Sequence, residues 1–329
     1  MKAARRRVWL DTDPGFDDWM AWALLESHPE IDLLGVSVVS GNAPLGITLR
    51  NALQIRAFHG WRTPVHAGAD RPLAQAVVTA QDVLGDQALA SVQRHLPPTD
   101  AVADSHDAVQ ALIDAVRAHP GDVTLLAIGP LTNVAQAFER DPELPGLLKQ
   151  LLIMGGSTDR GNTTAVAEFN IHADPEAAQV VLGGNPSLSQ LSVHLFGLNV
   201  CRQIQVDASH VAAVRALGTE RAQVFADHLQ AYVDIAARRG GLSMAVYDPT
   251  PVACLLHPEL FELAEARVDE QDSMVIYQDT GGCRMEYITA VLDDESARAC
   301  GRCDNCAGTW FPADVAAAAA DVAGQTLRR

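Results

Sequence analysis

The chain has 329 residues, 48% hydrophobic and 20% charged, with a formal net charge of −17. That length suffices for one large domain with a complete core, and the acidic balance disfavours sequence-blind binding to DNA or RNA, which needs a basic surface. No run of about 18 apolar residues is present to span a membrane, and the basic MKAARRRVWLD start lacks the apolar core of a secretory signal, so a cytoplasmic protein is expected.

The first apolar run, VWL at 8–10, leads into DTDPGFDD (11–18) and then into the apolar-periodic WMAWALLESH, which reads as strand, loop and helix. The pattern recurs. IDLLGVSVV (31–39) precedes ITLRNALQIRAFHG, and VTLLAIG (123–129) precedes LTNVAQAFER. LKQLLIMGG is followed by a polar loop and DPEAAQVVLGG, and then by LSQLSVHLFGL. Short apolar runs alternating with helices of this kind predict an α/β fold: an open, mostly parallel sheet with flanking helices. Right-handed crossovers put the loops that follow the strands on one edge, where such sheets carry their sites. From 205 to 260 the pattern is mainly helical. Beyond about 270 it becomes cysteine-rich, and it ends in the Ala-rich PADVAAAAADVAGQTLRR. The expected division is a main domain at 1–268, a small module at 269–310 and a helical tail at 311–329.

Asp11 and Asp13 are two apart on an extended segment and project to the same side. Pro14 and Gly15 turn the chain, and Asp17 and Asp18 open the next helix. A helix N-terminus favours each negative charge by only about 0.3–1 kcal/mol, less than the repulsion among four crowded carboxylates. They need a cation, a shared proton or full exposure; a helix cap with solvated acids is the plain alternative. Carboxylate oxygens select hard cations, and a site that adds a backbone carbonyl and waters favours Ca²⁺ over Mg²⁺. Two reactions fit this cluster alone. One is phosphoryl transfer, since Asp11-Thr-Asp13 superficially resembles the start of haloacid-dehalogenase-type phosphatases; the other is metal-assisted hydrolysis by water.

Further polar groups fall in the expected loops: SGN at 40–42, AIGPLTN at 127–133, MGGSTDRGNTTAVAEFNIHADPEAA at 154–178 and YDPTPVA at 247–253. With DTDPGFDD, this order resembles the nucleoside hydrolase family (inosine–uridine-preferring nucleoside hydrolases and relatives) over roughly residues 6–262. The resemblance implies a Ca²⁺ held by Asp13, Asp18, Asp248 and the backbone carbonyl of Ile128. It implies Asp13 as general base on a Ca²⁺-held water, with Asp11 as a supporting acid. Asp17, Asn42, Met154, Asn162, Glu168 and Asn170 would meet the ribose. The implied reaction releases ribose and a free base, for purine or pyrimidine salvage, and related enzymes are homodimers or homotetramers. Breaking a ribosyl C–N bond builds positive charge on the sugar, which carboxylates and amides gripping its hydroxyls favour.

The chain departs from the family where the base would sit. Tyr247 stands where many members have a histidine before the last metal-binding aspartate, so Tyr247 is the candidate to stack on the base, to protonate it, or simply to pack. Thr79 and Ala80 replace a His-Gly pair, and Cys201 and Arg202 stand where a third histidine is common. Two alternatives follow: hydrolysis of another N-riboside, or a nucleoside- or nucleic-acid-binding protein with a degenerate hydrolase site. His172, His194 and His257 read as structural, and Trp9, Trp19 and Trp22 mostly as core.

Four of the six cysteines, Cys283, Cys300, Cys303 and Cys306, read C-x16-C-x2-C-x2-C, a spacing that suits a structural Zn²⁺. Residues 270–310 resemble the zinc-binding subdomain of RecQ-type DNA helicases. No GxxxxGK[ST] loop accompanies it, so helicase activity is not implied. Arg284, Arg298 and Arg302 are offset by Asp293, Asp294, Glu295 and Asp304, so nucleic acid is not an expected partner; a small nucleoside is.

Overall fold

The computed structural model describes residues 5–183 and 191–264. The boundary expected at 268, the four-cysteine module and the helical tail lie outside the described residues. The chain divides at Glu262 and Leu263, and the elements below belong to the first part.

In chain order the elements begin with β1 (Arg6–Thr12), α1 (Phe16–Ser27), β2 (Ile31–Val38), α2 (Leu45–His59) and β3 (Val65–Ala67). After a long connection bearing the single turn α3 (Gln81–Leu84) come α4 (Ala108–Ala118), β4 (Val123–Ala127), α5 (Thr132–Arg140), α6 (Leu144–Leu147) and β5 (Gln150–Met154). A polar loop leads to α7 (Phe169–Ala173) and α8 (Pro175–Leu182), then to β6 (Val193–Phe196) and α9 (Leu198–Cys201). The last group is β7 (Gln205–Asp207), α10 (Ala208–Ala216), α11 (Glu220–Arg238), β8 (Ser243–Ala245) and α12 (Pro249–Leu256).

Six strands form one sheet in the order β3-β2-β1-β4-β5-β6, and every neighbouring pair is parallel. Alternation along each strand divides its side chains between two cores. Val8 and Leu10 face the layer of α1, α2, α11 and α12, whereas Trp9 faces α4, α5 and α8. β4 and β5 split in the same way, with Leu126 and Leu152 on the first face and Leu125 and Leu151 on the second. Burial on both faces explains why these strands read as unbroken apolar runs. Trp9, Trp19 and Trp22 are buried as expected, and full burial of a large apolar side chain contributes about 1.5–3 kcal/mol.

The helix ends carry the caps that their sequences supply. Asp107 accepts from Gln110 N–H (3.0 Å) to open α4, and Asp174 accepts from Ala177 N–H (3.0 Å) to open α8. Asp174 also takes the Thr132 hydroxyl (2.6 Å) and Leu73 N–H (2.9 Å), tying α5 and the β3–α4 connection to the same point.

One difference from the sequence reading lies at 205–260. Three helices are there, but β7 and β8 also pair antiparallel as a separate two-stranded ribbon. Strands of three residues are too short to show a period of two.

The strand order places the site. From β1 the chain winds through β2 and β3 to one side, and from β4 through β5 and β6 to the other. The carboxyl ends of β1 and β4 therefore flank the point where the winding reverses, and a crevice opens there. Asp11, Thr12 and Asp13 leave β1 at that crevice, and Ile128 leaves β4 beside them.

Candidate active site

Five carboxyl groups converge at the crevice, and all are buried: Asp11 (0% exposed), Asp13 (1%), Asp17 (7%), Asp18 (1%) and Asp248 (5%). Burial rules out the plain reading of a helix cap with solvated acids, although Asp18 does cap. Its carboxylate accepts Gly15 N–H (2.8 Å) at the head of α1, and also the Thr12 hydroxyl (2.5 Å) and the Asn42 amide (3.1 Å). Asp13 accepts Asn42 N–H (2.6 Å), while the Asn42 amide donates to the Asp13 carbonyl (3.0 Å). Two glycines make room for it. A Cβ on Gly41 would stand 2.2 Å from Asp13 Oδ2, and one on Gly129 would stand 2.8 Å from Oδ1.

Asp17 projects from the first turn of α1 toward α11 and the segment before α12. It accepts from the Tyr232 hydroxyl (3.1 Å) and Tyr247 N–H (3.4 Å). Asp248 sits at the head of α12. Carboxylate oxygens of Asp17, Asp18 and Asp248 all lie within 4.8 Å of one another. Asp11 stands behind them: one oxygen accepts from Ser37 and from the Asn133 amide (2.8 Å), and the other is buried without a partner.

This packing raises the proton affinity of the whole group. Burial lifts Asp13 well above the usual carboxylate range, with the Asp18 charge adding to it, and does the same to Asp248, with Asp17 adding. Asp11 is pushed up to about 7 by burial against the pull of Ser37 and Asn133. Asp17 also reaches about 7, through burial and then the Asp18 charge. Such a cluster is stabilised by protons or by a cation. The donor set is all hard oxygen, and the orphaned Asp11 oxygen and the glycine-lined seat of Asp13 fit an oxygen-preferring divalent ion such as Ca²⁺.

Above the carboxylates opens a cavity of about 410 Å³, within the range of small-molecule sites. Asp13, Asp17, Asn42 and Asp248 line its acidic part, while Asp18 lies outside the lining. Ile128, just beyond β4, Met154 at the end of β5, Asn162 and Glu168 in the β5–α7 loop, and Asn170 in the first turn of α7 also line it. Glu168 caps α7: its carboxylate accepts from the backbone N–H groups of Asn170 (2.9 Å), Ile171 (3.1 Å) and Gly156 (3.1 Å). Burial still raises its pKa despite those bonds. The Asn170 amide donates to the carbonyls of Ile128 (2.9 Å) and Met154 (3.1 Å), so the Ile128 oxygen already has one partner and one lone pair to spare.

The remaining lining is of a different kind. Val78, Val83, Leu84 and Met244 are apolar, and Tyr247 joins them, half-buried, its phenol raised by burial and then by Asp17. Thr79 and Ala80, which the resemblance places where many members have His-Gly, line the cavity, and among the described residues no histidine lines it. Cys201 is buried, and burial pushes its thiol up to about 12, so it is neither acid nor base at neutral pH. Several residues of the site were not read from the sequence, Tyr232 and Arg239 among them. Tyr232 falls on the apolar period of α11, which hides its polar role. Arg239, just beyond α11, carries the cavity's one positively charged side chain among the described residues, and nothing in its sequence setting marks it out.

A doubly wound α/β sheet with a ligand-sized, carboxylate-floored cavity at its reversal point defines a protein with a small-molecule site suited to a divalent cation. The chain belongs to the inosine-uridine preferring nucleoside hydrolase family, whose profile matches residues 8–305. That match runs through Cys283, Cys300 and Cys303. An uncharacterised protein of Schizosaccharomyces pombe is 37% identical, over 78% of this chain and 81% of its own. The pyrimidine-specific ribonucleoside hydrolase RihB of Escherichia coli O157:H7 is 33% identical, over 80% of this chain and 83% of its own. Among solved structures, the purine-preferring ribonucleoside hydrolase from Gardnerella vaginalis superposes with a TM-score of 0.71 at 28% identity, covering 78% of this chain and 81% of that one. A plant nucleoside hydrolase, PpNRh1, gives 0.73 at 27%, covering 79% and 81%. No helix among the described residues is long and apolar enough to cross a membrane.

Proposed function

We propose that the chain hydrolyses the N-glycosidic bond of ribonucleosides to ribose and free base, with Asp13 as general base. The observation that carries this reading is one cavity lined by carboxylates and amides and also by apolar and aromatic side chains, with Thr79, Asp82 and Arg239 among the latter, which suits a sugar joined to a flat base. When bound, a Ca²⁺ held by Asp13, Asp18, Asp248 and the Ile128 carbonyl supplies charge compensation and a fixed place for the water and two sugar hydroxyls.

Asp13 takes the proton of the attacking water. A base in this role contributes about 10²–10⁴-fold. Asp17, Asn42, Asn162, Glu168 and Asn170, with Met154 alongside, hold the sugar. The buried carboxylates favour the positive charge that grows on the ring as the C–N bond opens. Tyr247 faces the leaving base and stacks on it; with its phenol raised by burial, it is a poor proton donor at neutral pH. The relatives bear both pyrimidine-specific and purine-preferring names, so the base is assigned by assay. Salvage of nucleosides in the cytoplasm, and assembly into dimers or tetramers, belong to the same reading. So does the division at 268 with a four-cysteine Zn²⁺ module beyond it, for which bound zinc by elemental analysis is the check.

The test is turnover of inosine, adenosine, uridine and cytidine with and without a chelator. Hydrolysis lost on chelation and restored by Ca²⁺ is expected, as is a fall of at least about 10²-fold in kcat for Asp13→Asn. Asp13→Asn with kcat unchanged removes Asp13 as the base. Binding of nucleosides without turnover by the wild type would favour a binding protein, a reading supported by the absence of histidine from the described cavity lining.

A further inference from the structure

The β5–α7 loop delivers Asn162 to the cavity from an exposed turn, and that turn is built to hold one shape. Gly161 N–H donates to the Ala165 carbonyl (2.9 Å) and Asn162 N–H to the Ala167 carbonyl (3.1 Å). A Cβ on Gly161 would stand 2.2 Å from the Ala167 oxygen, so the turn closes too tightly for any side chain there. These bonds are internal. They fix the shape of the turn and leave its position over the cavity to be set from outside.

The outside contact is Arg202, at the C-terminal cap of α9. Its guanidinium donates to the Arg160 carbonyl (3.0 Å), the Gly161 carbonyl (2.9 Å) and the Asp159 carboxylate (3.3 Å). Two carbonyls one residue apart, with a carboxylate beside them, suit the planar fork of arginine and give the single ammonium of lysine only one good seat. The arginine is itself anchored. Leu198 N–H donates to the Gly156 carbonyl (2.9 Å), Leu198 and Cys201 are fully buried, and the Cys201 thiol lies 3.4 Å from the Phe196 carbonyl. The side chain of Arg202 is 21% exposed, enough burial to keep its bonds from full competition with water. Its charge also reaches the cavity rim, where it opposes the rise that burial and Asp17 impose on the Tyr247 phenol.

We propose that Arg202 is a positioning residue for the sugar: by gripping Asp159–Gly161 it sets where Asn162, the next residue along, meets the substrate. Asn162 as a sugar contact is taken from the proposed function, so the inference rests on that reading. Arg202, in the segment where a histidine is common in the resembled family, acts through the loop instead of on the base.

The test combines kinetics with amide exchange on the full-length protein. Arg202→Ala should raise the KM for a hydrolysed nucleoside about tenfold while kcat changes less than about threefold, the signature of lost binding without lost chemistry. Arg202→Lys should recover part of that loss. In an Asn162→Ala background, Arg202→Ala should change KM by less than about twofold, because both changes remove one interaction. An equal tenfold rise in both backgrounds, or an unchanged KM, overturns the proposal. Amide exchange at 159–164 should quicken in Arg202→Ala while β4 and β5 keep their protection, and unchanged exchange there also overturns it. That readout needs no turnover. An inactive wild type would count against the hydrolase reading, while the grip of Arg202 on the loop would still be decided by exchange.

Discussion

Replacing Asp17 with Asn removes one charge from the cavity floor and keeps its hydrogen bonds, since an amide oxygen can still accept from Tyr232 (3.1 Å) and Tyr247 N–H (3.4 Å). In the fold, burial and then the Asp18 charge lift the Asp17 carboxyl from 3.8 to about 7. The unfolded chain releases this proton near pH 4, whereas the folded chain keeps it until near pH 7. Between those values the fold binds the extra proton, so stability falls as pH rises through the window, and the whole cost is present above pH 7. A shift of about three units at about 1.4 kcal/mol each sets a ceiling of about 4 kcal/mol. Asn has no such cost. In chelator at pH 8, Asp17→Asn should therefore melt above the wild type, by about 5–10 °C at a few degrees per kcal/mol for a domain of this size. The gap should close as pH falls toward 4. Ca²⁺ should reverse the order, because the wild type has one more carboxylate for the cation to stabilise. Catalysis should move the other way, with kcat/KM down about 10–100-fold for a lost charged hydrogen bond to the sugar. Scanning calorimetry at pH 4, 6 and 8, with chelator and then with Ca²⁺, is the assay. A metal-free variant that melts below the wild type at pH 8 would refute the reasoning, because the crowded carboxylates would then not be a strained group.

Tyr247→Phe keeps the ring and removes only the phenolic oxygen, so kcat on purine nucleosides should stay within about threefold; a loss of 10²-fold or more would make the phenol a proton donor. Asp227 on α11 is fully buried and takes Arg94 (2.8 Å), Arg215 (2.7 Å) and Arg94 N–H (3.0 Å). Asp227→Ala should cost about 1–3 kcal/mol in denaturant unfolding, and protease should then cut first near 90–97, the stretch that Asp227 holds to α11. A cost below about 0.5 kcal/mol would mean that the pairs are screened by water.

The carboxylate cluster and the parallel α/β character of the sheet were legible because both are written in short, local patterns. DTDPGFDD needs only eight consecutive residues, and β1, β4 and β5 announce themselves as unbroken apolar runs. What the sequence hid is what forms at a distance. The donation from Asn170 to the Ile128 carbonyl joins positions 42 apart, and Tyr232 meets Asp17 across 215 residues while sitting on the apolar face of a helix. The stretch from 68 to 107 has no clear period: the family resemblance pointed to Thr79 and Ala80 there, but Val78, Val83 and Leu84 were not read as lining. Likewise the partners of Asp11, Ser37 and Asn133, come from β2 and α5, and nothing near Asp11 names them.

Part of the cavity floor and most of its rim are carried by different kinds of chain. Asp13, Ile128 and Met154 sit at or just beyond the ends of sheet strands whose registers are locked on both sides. Val78 to Leu84, Arg239 and Tyr247 come from connections that pair with no strand of that sheet. Substitutions at Val78 to Leu84 or at Arg239 can therefore reshape the rim without disturbing the strand ends, whereas Tyr247 is tied to the floor by its neighbour Asp248 and by its N–H bond to Asp17 (3.4 Å).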